Sequence, residues 1–112
     1  MASGTIKTPM PQAYHLGRMH SGSAQGTIDL TPYVWGEGVN AGRPLMIILK
    51  SWATTTDRAS VYMYCTIQRT NYAELVLLGK NANGPTATVS GTTLTITWPD
   101  TNGGMVDILK IY

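Results

Sequence analysis

Alternation of apolar and polar residues is the clearest pattern in the chain. It is strongest over residues 60–68, where Val61, Met63, Cys65 and Ile67 alternate with Tyr62, Tyr64, Thr66 and Gln68. Side chains on a strand point to opposite faces with a period of two, so the pattern predicts a central strand. Aromatic and β-branched residues, which suit a pleated surface, agree with it. We expect Val61, Met63, Cys65 and Ile67 to face the core. The tyrosines, Thr66 and Gln68 are expected to face outward.

Several other segments carry strand signals separated by turns. Residues 27–30, 45–50, 73–78 and 105–112 are apolar runs bounded by Gly, Pro or Asn. In the threonine-rich segment 86–98, Ser90-Gly91 is predicted to be a two-residue hairpin loop that pairs Val89 with Thr92. Ala87, Val89, Leu94 and Ile96 then share one face, and the threonines share the other.

About seven short strands, without a helical segment, predict an all-β fold. The spacing of the turns is typical of an antiparallel β-sandwich. We describe the fold as jelly-roll-like, although the pattern alone does not separate that topology from an immunoglobulin-like one. Residues 1–25 are rich in Gly, Ser and Pro and are predicted to be an extended arm or linker that includes one short strand near 13–16. Residues 26–112 form the predicted sandwich domain.

Two predicted strands are apolar on both faces. In 45–50, Met46 and Ile48 lie opposite the leucines and Ile47; in 73–78, Val76 and Leu78 lie opposite Leu75 and Leu77. A sandwich layer needs only one apolar face. We therefore expect the second face to meet the N-terminal arm or another copy of the chain, and we expect a homo-oligomer.

The charge of the chain and the length of its apolar segments limit the kinds of partner that we expect. Charged residues make up 12% of the 112 residues, about half the usual share, which suits a coat, fibre or adhesin. The net charge is +2 with no basic run, so a nucleic-acid partner is not expected. No segment approaches the ~20 apolar residues of a membrane span, and no apolar signal segment is visible near the start. We expect a protein that stays in the cytoplasm or assembles into a particle there.

No motif for catalysis or for a cofactor occurs. His15 and His20 are the two histidines, and neither has further ligands at metal-binding spacing, so no metal site is predicted. Nucleophile-elbow, P-loop and dinucleotide fingerprints are absent. The single cysteine, Cys65, cannot form an internal disulfide and is expected to be buried. We therefore predict no catalytic residues, no cofactor and no enzyme activity.

The aromatic side chains are the candidate binding groups. They could form an exposed patch on neighbouring strands, to which sugar rings or protein partners would bind. The alternative is a second packed face against a sheet or another subunit. The predicted ligand-binding residues are Trp52, Arg58, Tyr62, Tyr64 and Tyr72.

Three segments together give the chain a family resemblance. They are the Gly/Ser/Pro-rich residues 1–25, the threonine-rich hairpin 89–97 and the closing residues 103–112. With them the chain resembles a small bacteriophage virion protein that forms a tail-fibre head or receptor-binding tip. The resemblance implies a trimer in the virion, host attachment, and a glycan or envelope protein as ligand. The alternatives are a stand-alone carbohydrate-binding module or lectin, and a purely structural capsid or tail subunit.

Overall fold

The computed structural model describes residues 12–34, 44–52, 58–67 and 72–111, with only the backbone at residue 67. Within these ranges the chain is nearly all β, as predicted, and all strand pairs are antiparallel. The elements are β1 (Gln12–Met19), β2 (Gln25–Asp29), α1 (Thr31–Val34), β3 (Leu45–Ser51), β4 (Ala59–Ile67), β5 (Tyr72–Lys80), β6 (Thr86–Ser90), β7 (Thr93–Thr97) and β8 (Gly104–Lys110).

Two sheets form the sandwich. The larger has the strand order β1-β8-β3-β4-β5, and the smaller has the order β2-β7-β6. A jelly roll pairs its first strand with its last and its second with its seventh, and β1–β8 and β2–β7 follow that scheme. The hairpin β4–β5 also follows it. The β3–β8 pair follows it as well, but the fold departs from a jelly roll on the other side of β3, where β3 pairs with β4 instead of with β6.

The core lies between the two sheets. Alternate residues of β3 and β8 have no exposed surface and form the centre of the larger sheet's inner face. Leucine and isoleucine side chains of β2 and β7 cover them from the smaller sheet. The chain has no Phe, so aromatic volume in the core comes from Tyr62, Tyr64 and Trp98. The aliphatic members include Leu45, Ile47, Leu49, Leu94, Ile96, Val106 and Ile108.

The strand predicted at residues 60–68 is present as β4, but the predicted orientation of its side chains is wrong. Tyr62, Tyr64 and Thr66 are buried, whereas Val61 and Met63 are half-buried and Cys65 is exposed. The side chain of Ile67, placed in the core by the sequence pattern, and the predicted strand end Gln68 lie outside the described residues.

The neighbouring strand explains this inversion. Tyr62 pairs with Ile47 and Tyr64 pairs with Leu45, and directly opposed residues share a face. Because β3 buries its leucines, the tyrosines must also point inward. Their hydroxyls reach the smaller sheet: Tyr64 donates to the Gly91 carbonyl (2.6 Å), and Tyr62 accepts from the Ala87 N–H (3.1 Å). Both tyrosines therefore bridge the two sheets.

The predicted arm of residues 1–25 does not stay outside the sheet over the part that the structure describes. Residues 12–19 form β1, which pairs with β8 along its whole length except for a bulge between His15 and Gly17. The short strand expected near 13–16 is therefore the middle of a longer one. Residues 1–11 lie outside the described residues.

One helical turn was not expected. In α1, Pro32 follows the strand β2 and was taken only as a stop signal, although Pro is also well suited to the first turn of a helix. The Asp29 carboxylate caps this turn by accepting hydrogen bonds from the Thr31 hydroxyl (2.7 Å) and the Thr31 N–H (3.0 Å). Both bonds lower the pKa of Asp29, the hydroxyl's more than the N–H's. Four residues are too few to show a helical period.

The β6–β7 hairpin is present, with a loop one residue later than predicted. Ser90 pairs with Thr93 and Val89 with Leu94, so the loop is Gly91-Thr92. Gly91 has φ +58°, which fits the first central position of a type II′ turn. The change in pairing leaves every side chain on its predicted face, which is why the hydrophobic pattern did not reveal it.

Candidate functional site

The five predicted binding residues do not form one surface. Tyr62 and Tyr64 are 6% and 0% exposed and belong to the core, so their rings cannot present a face to a ligand. Trp52 and Tyr72 are exposed, at 43% and 45%. Arg58 lies half-buried beside the end of β3. The structure therefore does not bring the five residues together in one patch, and the exposed members must be considered separately.

The two exposed aromatic residues lie at opposite ends of β4. Ser51, just before Trp52, donates its N–H to the Arg58 carbonyl, at the start of β4. Tyr72 pairs with Ile67, at the end of β4. The eight residue steps between these ends correspond to roughly 26 Å at about 3.3 Å per residue. A single small ligand cannot contact both.

Trp52 is held in place by groups from β1 and from the β7–β8 loop. The guanidinium carbon of Arg18 lies 4.5 Å from the centroid of the Trp52 ring, which is a cation–π contact. The backbone N–H of Trp52 donates to the Gly103 carbonyl (3.1 Å). Arg18 in turn donates through Nε and Nη2 to the Asn102 carbonyl, at 3.1 and 2.9 Å. The indole is thus exposed but fixed.

A second arginine lies next to this group. Arg58 Nη1 is 3.3 Å from Asp100 Oδ2, with both side chains about a quarter to a third exposed. The other oxygen of Asp100 accepts the Asn102 N–H (2.9 Å), and so joins the ion pair to the loop that positions Arg18. We call the group Arg18, Trp52, Arg58, Asp100 and Asn102 the Trp52 platform.

The sequence did not identify three members of this platform. Arg18 was placed in the extended arm or linker of residues 1–25, and Asp100 and Asn102 were interpreted as ordinary turn residues. Only the β1–β8 pairing, which sets Arg18 opposite Met105, brings these distant segments together. A useful signal would have been Gly103, whose φ of +65° marks a turn and whose carbonyl accepts the Trp52 backbone N–H.

The two histidines have separate local roles. His15 Nδ1 bonds to the Asp107 carboxylate across the β1–β8 pair, on an exposed surface. His20 lies against Trp98, whose Nε1–H donates to His20 Nδ1 (3.0 Å). The indole can only donate, so the proton of neutral His20 lies on Nε2, 3.2 Å from the Thr27 carbonyl.

The described residues offer no catalytic or metal-binding cluster. Across 12–34, 44–52, 58–67 and 72–111, no three His, Cys, Asp or Glu side chains come together.

An open cleft of about 300 Å³, lined by residues 59–61 and 79–81, contains Lys80 as its charged group. At the far end of β4, a hydrogen bond to Glu74 raises the pKa of Tyr72. Within the same ranges, no helix is long and apolar enough to cross a bilayer.

Comparisons with known proteins give one weak structural likeness. No protein-family model matches the chain, and no curated protein matches it. The chain is similar to the crystal structure of the Acinetobacter phage vB_ApiP_P1 tailspike protein, with a TM-score of 0.46 and 12% sequence identity. The similarity covers 97% of this chain and 23% of the tailspike chain, so this chain spans about a quarter of that protein. A likeness at this level carries no residue role over to this chain.

Proposed function

We propose that this chain is a host-attachment domain of a phage tail, in which the Trp52 platform contacts a glycan of the host surface. The observation that carries the proposal is the exposed indole of Trp52, which lies against the Arg18 guanidinium while the Trp52 backbone N–H is anchored to the Gly103 carbonyl. The all-β scaffold and low charge of the chain fit a virion component. The phage assignment rests on the resemblance seen in the sequence.

The chemistry of the platform suits a sugar. A fixed aromatic plane offers apolar area to the C–H face of a sugar ring at little cost in side-chain entropy, because its conformation is already set. Polar groups around it can bind hydroxyl or carboxylate groups of the same sugar. Arg18 and Lys50 add positive charge on this side of the sheet. Lys50 is exposed, and both Lys50 and Arg18 pair with Met105 of β8, so their side chains lie on the same face. We therefore favour an acidic polysaccharide over a neutral one.

Two aromatic residues of nearly equal exposure make a matched experiment possible. Trp52→Ala should weaken binding to purified host-surface polysaccharide at least about tenfold, the loss of roughly 1.4 kcal/mol or more. Tyr72→Ala, at the other end of β4, should leave binding unchanged. Binding is measured by calorimetry or on a glycan array, and circular dichroism confirms that both variants fold.

The outcomes separate the alternative functions. If both variants bind as the wild type does, or if no polysaccharide binds, the Trp52 platform is not a glycan site. A silent array together with an ordered assembly would favour a purely structural tail or capsid subunit. Binding by an isolated monomer, lost in Trp52→Ala, would favour a stand-alone carbohydrate-binding module. Arg18→Lys, which keeps the charge but loses the planar fork, should weaken binding less than Trp52→Ala.

A further inference from the structure

The corner where the chain passes from the larger sheet to the smaller one is built around His20. His20 follows the last residue of β1 and has φ +58°, the one positive φ of a non-glycine residue in the described part of the chain. Histidine is among the side chains that adopt this backbone conformation most readily. Its half-buried ring lies on β2, where a Cβ on Gly26 would collide with it.

Trp98 closes the same corner from the other side. It follows β7, is 2% exposed, and donates its backbone N–H to the Ala24 carbonyl just before β2 (2.7 Å). Its ring lies against β8, where a Cβ on Gly104 would collide with it. The indole Nε1–H donates to His20 Nδ1 (3.0 Å), and the two ring centroids are 6.0 Å apart. This pair of rings therefore links β1 and β2 to the end of β7 and the start of β8.

The hydrogen bond between the two rings requires a neutral imidazole. An indole N–H can only donate, and a protonated imidazole has two N–H donors and no acceptor. A proton on His20 Nδ1 would place two donors 3.0 Å apart and leave the buried indole N–H without its acceptor. A buried donor that loses its acceptor is the costly part of a broken hydrogen bond. Because Trp98 is buried and His20 only half-buried, the imidazole is the ring that can turn out to water.

The charged and titratable groups on the surrounding elements do not bond to the His20 ring. His15 and Asp107 bond to each other, Arg18 to the Asn102 carbonyl, Asp29 to Thr31, and Asp100 to Arg58. Lys50 is exposed on the outer face of the larger sheet, and Lys110 is at the opposite end of β8 from Gly104. In the described part of the chain, the two bonding partners of the ring are therefore neutral: the Trp98 indole and the Thr27 carbonyl.

We infer that His20, Trp98 and the Thr27 carbonyl form an acid-sensitive latch between the two sheets. The neutral ring accepts from Trp98 through Nδ1 and donates to Thr27 through Nε2, and so keeps the corner closed. A proton on Nδ1 breaks the bond to Trp98 and opens the corner. An ordinary histidine is neutral at about pH 8 and mostly protonated at about pH 5. The stability that the latch provides is therefore present at the higher pH and is lost as the pH falls.

The latch does not rest on the Trp52 platform, and urea denaturation followed by circular dichroism tests it. The parent protein is His15→Asn, in which His20 is the only histidine. Its urea midpoint should fall by about 0.5–1.5 M between pH 8 and pH 5, because one hydrogen bond is lost and a buried donor is left unpaired.

Two added substitutions should each remove at least half of this fall. His20→Asn suits the positive φ and places Oδ1 where Nδ1 was, but it cannot be protonated in this range. Trp98→Phe keeps an aromatic ring and removes the donor that protonation opposes. Ile47→Val, a truncation of a fully buried side chain of β3, is the control for general destabilisation. It should lower the midpoint equally at both pH values and leave the fall unchanged.

Nitrogen NMR of the His20 ring gives a direct readout of the latch. At pH 8 the proton should be on Nε2 and absent from Nδ1, and the Trp98 Nε1–H resonance should shift as His20 is protonated. The opposite tautomer at pH 8, a parent midpoint that does not fall toward pH 5, or an equal fall in His20→Asn would each overturn the inference. If Trp98→Phe does not fold, His20→Asn and the tautomer decide the question.

Discussion

The inward orientation of Tyr64 gives the sharpest test of the fold. The side chain is fully buried, and its hydroxyl donates to the Gly91 carbonyl at the β6–β7 turn. Tyr64→Phe removes this hydrogen bond while it keeps the ring that fills the core. A net hydrogen bond contributes about 0.5–1.5 kcal/mol, so we expect a loss of roughly 1 kcal/mol in the free energy of unfolding.

Urea denaturation followed by tryptophan fluorescence measures this loss. With a slope of about 2 kcal/mol/M for a small domain, the midpoint should fall by roughly 0.5 M. Tyr14→Phe is the matched control, because the Tyr14 hydroxyl donates to the exposed side chain of Gln12 (2.7 Å). That variant should stay within about 0.5 kcal/mol of the wild type.

The dependence of stability on pH provides a second readout at the same residue. Burial raises the pKa of Tyr64 above its ordinary value of 10.0, so the folded state resists loss of the phenolic proton. The corresponding stability is present below about pH 10 and is lost as the pH rises through the folded pKa. Tyr64→Phe should lack this alkaline component. Equal midpoints for Tyr64→Phe and Tyr14→Phe, with unchanged alkaline behaviour, would refute the orientation and support the outward-facing tyrosine of the sequence pattern.

Two further predictions concern residues outside the core. Cys65 is exposed, so in the folded protein it should react with a thiol reagent within about tenfold of its rate in urea; strong protection would show that the strand faces the other way. Gly103→Ala should cost more than about 1 kcal/mol, because its φ is +65° and a Cβ would collide with the Met19 carbonyl oxygen. Gly22→Ala, also at positive φ but with open space around it, should cost less by urea denaturation; equal losses would mean that the close approach to Met19 does not exist.

Local patterns were sufficient to identify most of the strands. Alternation in 60–68 and the apolar runs at 45–50 and 105–112 correspond to β4, β3 and β8. What alternation cannot decide is which face of an amphipathic strand is buried when both faces carry large side chains. In β4 that choice was made by pairing with β3, and the tyrosine hydroxyls found backbone acceptors and donors on the other sheet.

The candidate site was harder to predict because its parts are distant in sequence. Trp52 and Arg58 were named from their residue types, but Arg18 and Asn102 are separated by 84 residues along the chain. Only the pairing of β1 with β8 brings them together. Tyr62 and Tyr64 were misassigned to the site for the same reason that β4 was inverted: a tyrosine on an alternating strand suits the surface and the core equally well.

The position of β8 between β1 and β3 constrains how the protein folds during synthesis. β8 is the last described strand, yet it is bonded to both neighbours in the larger sheet, one of which begins at residue 12. Contacts between such distant parts of the chain require closure of a long loop, which slows folding. Any polypeptide that stops before residue 104 has β1 and β3 without the strand that joins them. A ribosome must therefore release the segment from residue 12 to residue 110 before the sandwich can close.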